Sequence, residues 1–275
     1  MPSSKIKALI HFLKQFQPGA IAFSGGVDST LLLYLCREAW DSPPLALTFF
    51  SPLVRDEERE RIEQLADDLG VRLHRLKTKE YLDQRFKKNS PARCYYCKKS
   101  RFRQARPYLK EKGIRFLLDG TNADDLTVYR PGIRASREAN VISPLAHLGW
   151  TKAEIRRASR NLGLPTWNQP SSPCLATRVA YGQPLTLPLL KRLALGEKAL
   201  ARLGLPEYRL RVHQSLVRIE VPQKEFSLFL DSGKRQDLIP HLSKLGFSYI
   251  TLDLKGFRSG SMDETLKNRT KSPKV

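Results

Sequence analysis

The chain has 275 residues, with 48 Lys and Arg against 27 Asp and Glu, a formal charge of +21, and 41% hydrophobic residues. That apolar fraction fills a core and the length suits one large domain or two small ones, which excludes a disordered chain or a mini-protein. The opening MPSSKIKALIHFLKQF is broken by charges and no long apolar run follows, so a membrane span and a secretory signal are excluded and a soluble, cytoplasmic protein is expected.

Strand and helix signals alternate through the first half. Ala20 to Phe23 is a short apolar run ending at Ser24-Gly25-Gly26, and Leu31 to Leu35 follows as a buried helix. Leu45 to Phe50 reads as a second strand, and Asp56 to Leu69 as an amphipathic helix with Ile62, Leu65, Ala66 and Leu69 on one face, stopped by Gly70. Val71 to Leu76 is a third strand, Cys94 to Lys112 a helix, and Phe116 to Leu118 a fourth strand running into Asp119-Gly120-Thr121. Strands separated by helices predict an α/β fold, a parallel sheet with helices on both faces. Ligands of such sheets gather at the carboxyl ends of the strands, and three of those ends carry SGG, TFFS and DGTN.

After the segment Val141 to Leu145, Thr151 and Glu154 fit a capping box opening a helix to about Leu162. A Pro-rich stretch from Pro165 to Pro188 breaks the alternation. Beyond it come a helix (Leu189 to Leu203), strands at Arg209 to His213 and Leu216 to Val221, a helix (Lys234 to Leu245) and a last strand (Tyr249 to Leu254). The expected organisation is a nucleotide-type domain at 1–165, an active-site loop at 166–188, a smaller α+β domain at 189–264 for substrate or oligomer contacts, and a basic tail at 265–275. No internal repeat is present.

Between Arg72 and Arg115 sixteen Lys or Arg face three acids, Glu80, Asp83 and Glu111. The run reads two ways: a face for polyanions such as RNA or phosphorylated substrates, or a solvated surface that keeps a basic protein soluble.

The sharpest motif is Ser24-Gly25-Gly26-Val27-Asp28-Ser29-Thr30, set after a strand and opening a helix. Its glycines let backbone N–H groups approach an anion, and the helix N-terminus adds unpaired donors and its dipole. It lacks the Gly-Lys-Ser/Thr ending of a Walker loop and the spacing of a dinucleotide fingerprint. Asp28 either caps the helix or holds a Mg2+ that bridges phosphates; a plain glycine turn with capping Asp and Ser is the structural alternative.

Cys94-Tyr95-Tyr96-Cys97 puts two thiols within one helical turn, and Cys174 lies in Ser172-Pro173-Cys174-Leu175-Ala176-Thr177-Arg178. Three thiolates can hold three irons of a 4Fe-4S cluster and leave the fourth open for hydrosulfide. A closed zinc site needs a fourth ligand, for which His147 or His74 are the candidates; a pair of partly buried thiols is the third reading. Cys36, inside an apolar helix, is expected in the core.

SGGVDST resembles the signature of the PP-loop ATP pyrophosphatases, which cleave ATP between the α and β phosphates and leave AMP on a substrate oxygen. That resemblance implies that Ser24, Gly25, Gly26, Asp28, Ser29 and Thr30 embrace the pyrophosphate end, with the loop after Leu47 and Gly120-Thr121-Asn122 near the nucleoside. RCYYCKK, DGTNADD, PCLATRVAYG, RLRVH with VRIEV, and LDLKGFRSGSMDE together resemble the LarE family from Ile6 to about Glu264. The resemblance implies adenylylation of a carboxylate of pyridinium-3,5-biscarboxylic acid mononucleotide and replacement of AMP by sulfur, for nickel-pincer cofactor synthesis.

In family members with one cysteine the residue matching Cys174 surrenders its own sulfur, and members with three hold a cluster; this chain has Cys94, Cys97 and Cys174. Matching motifs place Arg178, Arg209, Arg211 and Arg258 as guanidinium forks for an anionic substrate, with surface charge as the other reading. Glu197 and Glu220 fall at the family's acidic positions, as Mg2+ ligands or bases, with an exposed helix place open for Glu197. Asp124 and Asp125 read as helix caps or catalytic acids. ATP, Mg2+, a sulfide donor and a homo-oligomer, a hexamer in the family's habit, are the implied partners. A tRNA-thiolating relative is the competing reading, although no RNA-binding module is recognisable.

Overall fold

The computed structural model describes residues 4–170, 173–230, 232–258 and 260–263. The tail at 265–275, Glu264 and Ser172 lie outside the described residues. The chain divides into two compact units, Met1–Phe86 with Pro91–Ser172, and Lys87–Ser90 with Pro173–Val275.

In the first unit α1 (Ser4–Leu13) precedes β1 (Gly19–Ala22), α2 (Val27–Ala39), β2 (Leu45–Phe50), α3 (Asp56–Asp68) and β3 (Arg72–Lys77). A short α4 (Gln84–Lys87) is followed by the long α5 (Arg93–Glu111), β4 (Phe116–Asp119), α6 (Gly132–Glu138), α7 (Pro144–His147) and α8 (Lys152–Asn161). The strands lie in the order β3-β2-β1-β4 and every pairing is parallel, with Ala20 opposite both Leu45 and Leu117.

Because side chains alternate across a strand, the sheet feeds two cores. Ile21, Ala46 and Leu118 pack against α1, α2, α3 and α8 through Leu9, Leu31, Leu35, Ile62 and Ile155. Ala20, Leu45, Leu47 and Leu117 pack on the other face against Phe102, Ala105 and Leu109 of α5. The sheet with helices on both faces is thereby present as the sequence predicts. Cys36 sits in the first of these cores, where burial pushes its thiol up.

Local chemistry sets the element ends. Gly70, at φ +62°, lets the chain turn out of α3, and α8 opens on the full Thr151/Glu154 capping box. The Lys5 ammonium and the Thr151 backbone N–H hold the Glu154 carboxyl down to about 2. Val141 to Leu145 is not a strand: Ile142 makes a single bridge to Leu118, and Pro144 then starts α7. α1, whose Ile6, Leu9 and Leu13 are buried, carries an apolar face that the sequence reading passed over.

The second unit contains α9 (Leu187–Ala201), β5 (Arg209–His213), β6 (Leu216–Glu220), α10 (Ser227–Leu230), α11 (Ser232–Lys244) and β7 (Tyr249–Leu252). β5 and β6 are antiparallel, whereas β6 and β7 are parallel. The helix expected at Leu189 to Leu203 starts two residues earlier, because Thr186 caps it through the Leu189 N–H and Pro188 suits its first turn. Residues 87–90 join this unit through Asn89, which is fully buried and donates Nδ2 to the carbonyls of Ala180 (2.9 Å) and Gln183 (3.0 Å).

Leu33 is fully buried on α2 between the sheet and the outer helices. Leu33→Ala is expected to cost about 2–5 kcal/mol, read as a lower urea midpoint at unchanged m-value.

Candidate active site

Four parallel strands ending on one edge bring the loops after β1, β2 and β4 together in the first unit. Gly25 takes φ +66°, a conformation open to glycine, and a Cβ there would stand 2.8 Å from Ile62 Cγ1. Arg61 on α3 donates Nη1 to the Gly25 carbonyl at 2.9 Å, which pins the turn. Gly26 caps α2 without any side-chain bond, and around it only Ser24 Oγ approaches within 4 Å of a built Cβ. The first-turn N–H groups of α2 therefore have the backbone clearance that an anion needs.

The hydroxyls do different work. Ser29 Oγ accepts the Ser24 N–H (3.3 Å), lies 3.2 Å from Ser24 Oγ and donates to the Gly26 carbonyl (3.1 Å), so it ties the loop to itself. Thr30 is fully buried, and its Oγ1 has no hydrogen-bond partner among the described residues. Asp28 accepts Asn122 Nδ2 on Oδ1 at 3.2 Å and pairs through Oδ2 with Lys152 Nζ. Lys152 is a site residue that sequence reading missed, although its place one residue beyond Thr151 puts it at the head of α8. Its N–H also donates to Asp124 Oδ2 at 2.8 Å. Asn122 and Asp125 close a reciprocal pair, Asn122 N–H to Asp125 Oδ2 (3.2 Å) and Asp125 N–H to Asn122 Oδ1 (3.1 Å). Both Asp124 and Asp125 thus bond backbone N–H groups.

Gly120 has a steric reason: a Cβ there would come within 2.9 Å of the Ser29 nitrogen and 3.1 Å of Asp28. Asp119, at the end of β4, is buried and accepts the Thr121 N–H (3.1 Å), Ser143 Oγ (2.7 Å), Ser136 Oγ (3.0 Å) and Lys98 Nζ (3.2 Å). Burial alone raises its carboxyl, but Lys98 and the hydrogen bonds outweigh it and hold the group below the usual carboxylate range.

Cys94 and Cys97 occupy the first turns of α5, Cys94 exposed and Cys97 half-buried. The positive end of the helix favours negative charge at that place. Around them Glu138 on α6 accepts Tyr95 Oη (2.8 Å) and Lys99 Nζ (2.9 Å), and these with Arg134 draw its carboxyl down to about 2. Further along α5, Arg101 reaches the fully buried Glu80 at 2.7 Å. There burial pushes the carboxyl up, and Arg101 with the Ser51 hydroxyl brings it below its ordinary value.

Cys174 belongs to the second unit, half-buried at the head of the turn Leu175–Arg178. Its carbonyl accepts the Thr177 N–H (3.0 Å) and Thr177 Oγ1 (2.7 Å). Arg178 is fully buried, bonded by Nε to Glu197 Oε1 (2.7 Å), by Nη2 to Glu197 Oε2 (3.3 Å) and by Nη1 to the Pro173 carbonyl (2.7 Å). Arg211 bonds Glu220 Oε2 by Nε (2.9 Å) and the Thr177 carbonyl by Nη1 (3.1 Å). Neither arginine is surface charge, and Glu197, 1% exposed, is not an exposed helix residue. These two buried pairs grip both ends of the Cys174 turn. Arg209, half-buried, lies over the Phe257 ring and donates to the Tyr208 carbonyl, while Arg258 reaches the Gly256 carbonyl (2.9 Å) and Asp253 (3.4 Å).

Among the described residues no group of three or more His, Cys, Asp or Glu side chains gathers as a metal site. The donor chemistry nevertheless fits the expected groups in kind: two thiols one turn apart, and a helix N-terminus whose Gly26 cap carries no side-chain bond.

Gly120→Ala is expected to push the first turn of α2 away from the end of β4, because the clash falls on the Ser29 nitrogen and on Asp28; a lowered melting temperature in thermal melts checks it. Glu80 and Asp119, ordinarily near 4.5 and 3.8, are both lowered in the fold. Their stabilisation is therefore fully present above about pH 4.5 and lost as the pH falls through the lowered values. Glu80→Gln should flatten the fall in urea midpoint as the pH drops below about 4.5.

No family model matches the chain. It is 36% identical over 269 residues to pyridinium-3,5-bisthiocarboxylic acid mononucleotide synthase of Lactiplantibacillus plantarum, covering 96% of this chain and 95% of that one. An uncharacterised protein of Synechocystis sp. is also 36% identical, over 97% of this chain and 99% of its own. Another, from Methanocaldococcus jannaschii, is 29% identical over 87% and 90%. With strand-end loops, a parallel sheet and a full-length match of this closeness, the chain belongs to the LarE family of enzymes.

Proposed function

We propose that the protein is an ATP-dependent sulfur transferase that converts the carboxylates of pyridinium-3,5-biscarboxylic acid mononucleotide to thiocarboxylates. The observation that carries this reading is the 96% coverage by a synthase of the bisthiocarboxylic product, which spans both units. ATP lies with its phosphates at the N-terminus of α2, where Ser24, Gly25 and Gly26 present backbone N–H groups, Ser29 holds the loop in shape and Thr30 adds its place in the first turn of the helix. Lys152 brings a cation to the same place, and its partner Asp28 is the residue that would hold Mg2+. Gly120, Thr121 and Asn122 line the nucleoside side.

A substrate carboxylate oxygen attacks the α-phosphorus of ATP and pyrophosphate leaves, which makes the carboxyl carbon an acyl adenylate. Hydrosulfide then attacks that carbon, the C–O bond to AMP breaks, and one proton is released as the thiocarboxylate forms. A second round at the other carboxylate gives the bis product. Cys94, Cys97 and Cys174 are the residues that would hold a 4Fe-4S cluster, which would supply the sulfide for the second step. Arg178 and Arg211, with Glu197 and Glu220, set the Cys174 turn, whereas the half-buried Arg209 and Arg258 meet the anionic substrate.

Asp28→Ala is expected to abolish conversion of ATP to AMP and pyrophosphate in the presence of substrate; retained turnover would remove Asp28 from the nucleotide site. Protein prepared without oxygen should carry about four irons with matching acid-labile sulfide. Cys97→Ser should lose the visible absorbance and most of that iron, and unchanged colour would show that Cys97 is not a required ligand.

A further inference from the structure

Glu80 lies in the segment after β3, fully buried, and its carboxylate is gripped from two sides. Ser51, the first residue beyond β2, donates Oγ to Oε1 at 2.7 Å. Arg101 on α5 donates Nε to the same oxygen at 2.9 Å and Nη2 at 2.7 Å. Arg101 stands four residues beyond Cys97, so the two share one helix face. A single carboxylate therefore ties the loop after β2 to the helix that carries Cys94 and Cys97. The loop end is tight as well, because Arg59 Nη2 donates to the Ser51 carbonyl at 2.8 Å.

Stability alone does not account for such a pair. Removing two charges from water costs several kcal/mol, and apolar residues of the same volume often replace a buried ion pair without loss. What the pair supplies that apolar packing does not is direction: hydrogen bonds of fixed length between one helix and one loop. A second contact, Lys98 to Asp119, holds the same helix to the end of β4, and Gly132 makes room for it, since a Cβ there would meet Lys98 Cδ at 3.0 Å. Loss of Glu80 thus leaves α5 attached and lets it shift.

We propose that Glu80 is a positioning residue for sulfur transfer, fixing through Arg101 and Ser51 the register of the cysteine helix against the loop after β2. The inference rests on the sulfur-transfer reading above. An acyl adenylate that sulfur does not reach in time is attacked by water at its carbonyl carbon, which releases AMP and returns the carboxylate. Misregister therefore appears as AMP made without product, a quantity that simple loss of folded protein does not change.

The test uses the full chain prepared without oxygen, supplied with ATP, Mg2+, sulfide and pyridinium-3,5-biscarboxylic acid mononucleotide, with thiocarboxylate and AMP both quantified. Glu80→Gln is expected to lower thiocarboxylate per AMP at least about fivefold while iron per chain and the KM for ATP stay within about twofold. Arg101→Lys, which keeps the charge but not the paired donors, should fall between Glu80→Gln and wild type, and it carries the same readings if Glu80→Gln does not fold. An unchanged ratio in the folded variants overturns the inference, as does a fall matched by an equal loss of iron. A wild-type chain that makes no AMP overturns the sulfur-transfer reading itself, an outcome separate from a variant that makes AMP at the wild-type ratio.

Discussion

Parallel pairing obliges β1, β2, β3 and β4 to end on the same edge, and the rest of the first unit follows from that constraint. Each strand end must release its chain into a turn whose backbone groups are no longer paired by the ladder. After β1 the turn is taken up by Gly25 and by the head of α2; after β2 by Ser51; after β4 by Asp119, Gly120 and Asn122. The loops are so close that Gly120 leaves no room for a Cβ beside Ser29. The first-turn N–H groups of α2 and the Asp28–Lys152 pair meet there because topology brings them there.

Charge inside the molecule follows one rule in both units. Each of the four buried carboxylates among the described residues has a cation and at least one neutral donor: Asp119 has Lys98 and three hydroxyl or amide donors, Glu80 has Arg101 and Ser51, Glu197 has Arg178 and the Leu210 N–H, and Glu220 has Arg211 and Ser261. Unpaired, each would be too costly to bury. Paired, they contribute orientation more than net stability. In the second unit that orientation is spent on the Cys174 turn, whose neighbours Pro173 and Thr177 receive guanidinium hydrogen bonds.

The basic run from Arg72 to Arg115 divides once the fold is known. Arg72, Arg75 and Lys77 are exposed on β3, the edge strand, where cations discourage pairing with another sheet. Lys98 and Arg101 turn inward to acids, and Lys99 holds Glu138. The surplus therefore has structural uses within the first unit that a count of charges does not reveal.

Periodicity and turn chemistry were enough to read the strand–helix alternation, the ends at Gly70 and Thr151, and the glycine loop of Ser24 to Thr30, because each depends on neighbours within a few residues. The α1 helix was passed over since charges break its linear run although they fall off its apolar face, and the short apolar run Val141 to Leu145 does not declare its period. Which cation answers which carboxylate was not legible at all: Asp28 and Lys152 lie 124 residues apart, Glu80 and Arg101 lie 21 apart in different elements, and one Arg looks like another in sequence. Composition and local spacing thus determined the fold class, the glycine turn that opens α2 and the supply of thiols. Only the tertiary structure decided that Arg178, Arg211 and Glu197 are buried partners and that the cysteine helix is tied to the strand ends, because burial and long-range pairing are properties of the packed chain and have no period in the sequence.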